Sequence, residues 1–317
     1  MRRGTAIIGT SIIAAFAIAA GCQQRDQQSQ RAAPPDSPVA NAAREKSTAE
    51  NAQAESAAAQ NPAAKPASGS AAATDAEGWG SLRGRFVFVG PRPEPKELQI
   101  TSDVEYCSMH RPQDESLLVN AEGSGLANVV VALFRTRTEP APRIHPSYAE
   151  TAAAKVSLDN QKCRFRPHLL AMRTSQILEV LNTDDVAHNT KIDSLSNPAS
   201  NPTLPAGGRL ELKFSLEERS PVRVSCSIHP WMAAWLIVRD DPYVAVTDAQ
   251  GTFAIANVPA GKRTFQVWHE RARYVTTVQQ NGAPAQWNRG LFVADIKNGE
   301  TTDIGEIRVD RSLFGGN

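Results

Sequence analysis

The chain has 317 residues, and its 34 Lys and Arg nearly balance 33 Asp and Glu, for a formal net charge of +1. That balance leaves no basic footprint for nucleic acid. Beyond the first 22 residues no hydrophobic stretch is long enough to cross a bilayer. The chain opens MRRGTAIIGTSIIAAFAIAAGC, where Arg2 and Arg3 precede an apolar run and a small-residue stretch. This pattern reads as an export signal rather than a permanent span.

The small residues before Cys22 resemble a bacterial lipoprotein box, with Ala19 where Leu is usual. The resemblance implies acylation of Cys22, which then becomes the mature N-terminus and a lipid anchor. An ordinary signal peptide is the alternative. Both readings place the mature chain outside the cytoplasm, and the lipid-anchored one places it in the cell envelope, exposed to the periplasm or the outside. Residues 23–77 are Ala, Gln, Ser and Pro with scattered charges and almost no large apolar side chains. Such a stretch cannot bury enough surface to offset its ordering entropy and reads as a disordered linker.

From 78 to 312 the pattern is β. Short runs rich in branched and aromatic residues lie at 82–90, 129–134, 169–172, 177–181, 210–216, 222–226, 235–239, 252–255 and 264–268. Pro, Gly, Asn and Asp separate them. One short helix is predicted, over 147–155. The expected fold class is all-β, as sandwiches. The stretch TDAQGTFAIANVPAGKRTFQVW (247–268) reads as a β-meander. It resembles the second half of a carboxypeptidase regulatory-like, transthyretin-like sandwich. LRGRFVFVG and the run from Gly125 to Leu133 resemble the first half, about 110 residues earlier. The expectation is a split sandwich, 78–138 plus 241–312. A second domain, 139–240, is inserted in it or follows it.

Within 139–240 soft and borderline metal donors gather. Cys226-Ser-Ile-His229-Pro-Trp-Met232 follows a strand, and His188-Asn189 follows the strand ILEVLN. Together they resemble the cupredoxins, the blue type 1 copper proteins, and amicyanin in particular, where a Pro also follows the second His. The resemblance implies a Greek-key sandwich holding one copper. His188 and His229 would supply nitrogen, Cys226 thiolate and Met232 an axial sulfur, a set that suits both copper oxidation states. Asn189 would tie its segment to the Cys loop. It also implies that the edge of His229 reaches the surface, through an apolar patch to which Pro230 and Trp231 contribute. A dinuclear copper centre would need a second Cys where Ser225 and Ser227 stand. Met is a poor zinc ligand, and C-x-x-C-H haem attachment is absent.

Cys107 and Cys163 remain. A disulfide is one expectation in an oxidising compartment. A second metal site with His110 and His168 is the other. Asp184, Asp185, Asp240 and Asp241 read as turn residues.

The resulting expectation is a lipid-anchored copper protein that carries single electrons to a redox partner protein and is not an enzyme. Two alternatives stand beside it: a surface module binding carbohydrate or protein with a structural or vestigial metal site, and a copper carrier.

Overall fold

The computed structural model describes residues 78–315. The export signal, Cys22 and the linker 23–77 lie outside the described residues. Among those described, the chain is all-β, with only short helical turns.

Trp79–Val89 is an inner strand of one five-stranded sheet, next to its central strand Thr301–Asp310. It pairs antiparallel with Thr252–Pro259 and parallel with Thr301–Asp310, and Thr277–Gln280 and Ala283–Gln286 extend the sheet. A second sheet faces it, in the order Val244–Val246, Val130–Leu133, Gly261–His269 and Arg273–Tyr274, with Leu291–Ile296 also on Gly261–His269. Alternation along each strand turns one set of side chains inward. Leu82, Phe86, Val131, Phe265, Val267 and Ile307 form one core between the sheets, with Tyr243 and Phe314. Val130–Leu133 pairs with strands from beyond residue 240, not with 155–239.

Residues 155–239 form a second pair of sheets. One runs Arg209–Lys213, Ile177–Asn182, Lys155–Gln161, Arg164–Arg166. The other runs Leu169–Arg173, Ala233–Arg239, Val222–Ser225, Lys191–Ile192. Their core holds Leu158, Phe165, Leu170, Leu178, Val224 and Leu236, together with Cys226 and Met232.

Leu169–Arg173 is buried at every residue, which alternation alone does not explain. Both of its faces are covered. Leu170 and Met172 point into the 155–239 core, while Leu169 and Ala171 join Trp235, Ile237, Val130, Val244 and Trp268 in a third cluster. That cluster glues the outer face of one sheet onto the other sandwich. Trp235 and Trp268 meet edge to face there, with ring centroids 5.1 Å apart, a favoured aromatic geometry.

The helix expected over 147–155 is only a 3-10 turn, Pro146–Thr151, and Lys155 already opens a strand. The turn is held from outside. Tyr148 is buried in the first core and donates through its hydroxyl to the Ala256 carbonyl.

Candidate metal centre

Three elements converge on Cys226. Val222–Ser225 pairs antiparallel with Ala233–Arg239, Ser225 opposite Ala233, so 226–232 is the loop joining two paired strands. Lys191–Ile192 pairs with the other edge, Lys191 opposite Ser225. That pairing lays the segment carrying His188 beside the loop, and His188–Asn189 is itself paired with Thr203–Leu204. Long-range register, not the local loop, therefore brings His188 to Cys226.

One donor atom from each of His188, Cys226 and His229 lies within 4.8 Å of the others, and all three residues are buried. The two imidazole centroids are 4.5 Å apart. Cys226 Sγ is 3.7 Å from His229 Nδ1 and receives the His229 backbone N–H at 3.4 Å. Met232 is almost fully buried in the same core, and its backbone N–H closes a turn onto the His229 carbonyl.

Each imidazole has its other nitrogen engaged by a carboxylate. His188 Nε2–H donates to Asp184 Oδ2 at 2.9 Å, and His229 Nε2–H donates to Asp103 Oδ2 at 2.8 Å. A carboxylate only accepts, so each partner fixes the proton on Nε2 and leaves Nδ1 with its lone pair. His188 Nδ1 is buried without a hydrogen-bond partner. An orphaned buried acceptor costs free energy unless something binds it.

Asp184 is itself held at four points. Tyr106 donates its hydroxyl to Oδ1 at 3.0 Å, and the backbone N–H groups of Lys162 and Cys163 add to the His188 bond. Lys162 and Cys163 both have positive φ and form the two-residue turn between Lys155–Gln161 and Arg164–Arg166. Non-glycine residues rarely take that conformation. Here their freed amides both reach one carboxylate. Burial pushes Asp184 up, but the His188 bond, those amides and Tyr106 outweigh it and hold the carboxyl below its ordinary range.

Burial likewise pushes the Cys226 thiol up. The facing imidazoles of His188 and His229 and the N–H groups of Asn189 and His229 overcome that and bring it to about 6. A lowered thiol gives up its proton readily to a binding metal, because thiolate is the form that ligates. Asn189 Oδ1 accepts the Ser227 and Ile228 backbone N–H groups at 2.7 and 3.2 Å, which ties the His188 segment to the Cys226 loop.

Cys107 and Cys163 are joined in a disulfide, so neither sulfur is left for the alternative set with His110 and His168. His168 instead donates Nε2–H to Glu270 at 2.6 Å. The edge of His229 does not reach the surface: the residue is 0% exposed, with Asp103 over its Nε2. Pro230 is exposed, but Trp231 packs edge-on to His229 and donates its indole N–H to the Cys163 carbonyl.

Two contributors escape a reading of the sequence. Asp184 lies in an Asp-Asp turn, and its only local signal is the four-residue spacing to His188. Asp103 is 126 positions from its partner, and nothing in the sequence joins them.

No family model matches the chain, and no curated protein matches it. Solved structures similar to part of it include a copper-containing nitrite reductase from Thermus scotoductus, 20% identical with a TM-score of 0.24; the match covers 33% of this chain and 25% of that one. This chain thus spans about a quarter of the reductase's length. A purple cupredoxin from Nitrosopumilus maritimus is 24% identical over 27% of this chain and 98% of that one, with a TM-score of 0.23. The reduced Cu(I) form of a mutant of amicyanin is 17% identical over 34% of this chain and 98% of that one, with a TM-score of 0.25.

Proposed function

We propose that His188, Cys226 and His229, with Met232 beside them, hold a single copper ion, and that the protein carries single electrons to a redox partner protein. The observation that carries this reading is the donor set. One thiolate and two imidazoles, each imidazole with one nitrogen tied to a carboxylate and the other turned inward, converge in a buried pocket. Soft thiolate with imidazole suits both copper oxidation states. Copper bound there would supply reversible one-electron chemistry.

The chain's own residues do the rest. Asp184 and Asp103 fix both tautomers, Asn189 fixes the loop, and the surrounding core excludes water. Side chains locked by packing and hydrogen bonds keep one arrangement in both oxidation states, which lowers the cost of moving an electron. This reading includes the division of the chain into a copper-holding part, 139–240, and a regulatory-like sandwich, 78–138 plus 241–312. It also includes delivery to the cell envelope on a lipid at Cys22.

Absorption and EPR spectra of the copper-loaded protein test the reading. Intense visible thiolate-to-copper charge transfer is expected, and Cys226→Ser should abolish it. A colourless wild type, or a spectrum unchanged in C226S, would refute the assignment.

A further inference from the structure

Residues 98–112 form a closed loop. Its neck is paired: Glu97 bridges Gln113, Leu98 N–H donates to the Pro112 carbonyl at 3.0 Å, and Asp114 N–H to the Lys96 carbonyl at 2.8 Å. The tip carries the short turns Val104–Cys107 and Ser108–His110 and lies over the metal centre. Three attachments fix it there. Asp103 accepts from His229 Nε2, Tyr106 donates to Asp184, and Cys107 is bonded to Cys163. The first two reach the two imidazoles of the site, and the third lands on the turn whose amides hold Asp184. All three therefore bear on the same few atoms, from a segment outside the strands that supply the donors.

We infer that Asp103 is a positioning residue for His229, and that the loop carrying it governs access to the metal centre. The inference rests on the copper reading for its purpose but not for its geometry. Asp103 has φ +44°, a left-handed conformation that Asn and Asp tolerate and most residues do not. Its side chain is 42% exposed while His229 is fully buried. The carboxylate is thus the outermost group on the path from solvent to the imidazole. With the loop seated, a partner or reagent meets Asp103 and the loop tip rather than the ring edge. Without it, the ring loses its cover at Nε2, and the sulfur lies 3.7 Å from the same ring's Nδ1.

The probe is iodoacetamide, applied to the metal-free full-length protein, with alkylation of Cys226 followed by peptide mass. Asp103→Gly removes the carboxylate without straining the backbone. Asp103→Asn keeps an acceptor for His229 Nε2–H and the tolerated conformation. Cys107→Ser with Cys163→Ser releases the staple. Losing the His229 hydrogen bond in D103G, or the covalent staple in the paired Ser variant, should speed Cys226 alkylation about tenfold or more. D103N should stay close to wild type. A second readout uses the copper-loaded protein. D103N removes a negative charge beside the more positive oxidised state, so its reduction potential should rise, which a merely structural role would not produce. Equal alkylation rates in wild type, D103G and the paired Ser variant would overturn the loop's role. An unmoved potential in D103G, which loses both the charge and the hydrogen bond to His229, would overturn the positioning role. A wild type without charge-transfer absorption would refute copper, while the alkylation series still decides the loop.

Discussion

At the scale of residues, the site is a set of buried polar groups that satisfy one another, with His188 Nδ1 left unpartnered. Asp184 is the hub. It links His188, the Lys162–Cys163 turn and Tyr106 of the covering loop. Removing it would free His188 to rotate and leave the buried Nε2–H and two backbone amides unpaired. Asp184→Ala should therefore weaken copper binding by about 10–100-fold, measured by competition with a chelator, and binding at wild-type strength would contradict this role. Cys226, His229 and Met232 were legible because their spacing is local, and His188-Asn189 because it follows a strand of recognisable pattern. The carboxylates were not. Asp184 sits where an Asp serves a turn anyway, and Asp103 acts only after 126 residues of chain have folded back.

At the scale of elements, strands with a dense run of apolar residues, on one face or on both, could be read directly. Trp79–Val89, Val130–Leu133, Ile177–Asn182 and Gly261–His269 fall within a few residues of the runs expected for them. Two of the strands that escaped have mixed faces. Lys155–Gln161 buries Leu158 and Asn160. Asn160 reads as a loop residue, yet its amide donates to the Leu181 carbonyl across the sheet at 2.7 Å. Thr301–Asp310 is broken in pattern by a register shift opposite Arg83–Arg85, next to Gly305 at φ +73°. Its buried residues, Ile304, Ile307 and Val309, consequently do not alternate evenly. Both strands owe their place to neighbours already in the sheet, and tertiary pairing overrides weak local preference.

At the scale of the whole molecule, the third apolar cluster and the buried histidines beside it couple the two sandwiches. Burial holds His269 down at about 3, against the smaller opposing pull of Glu270. Its Nδ1 accepts the Arg271 N–H at 3.2 Å. An unfolded His titrates near ~6.5, so below that value the unfolded chain takes up a proton that the folded one refuses. The stability this site contributes is complete above the unfolded value and is lost as pH falls from there toward about 3. His168 behaves oppositely. Burial resists its charge, but the Glu270 bond and the Glu270, Glu115 and Asp114 carboxylates win and raise it. Its contribution is complete below the unfolded value and fades as pH rises through the folded one, so of these two histidines only His269 loses stability on acidification. Unfolding free energies from urea titrations between pH 6 and 4 should fall more steeply for wild type than for His269→Asn, by roughly 2 kcal/mol in all; parallel curves would contradict this.

All of the proposed chemistry depends on one gathering of atoms: a thiolate from a loop between paired strands and two imidazoles, one brought from another strand, within 4.8 Å. X-ray absorption at the copper edge of the loaded protein tests it most directly. The prediction is one short sulfur and two nitrogen scatterers, with the sulfur lost in Cys226→Ser and one nitrogen lost in His188→Ala. Coordination by nitrogen and oxygen alone, or a sulfur signal that survives C226S, would contradict it.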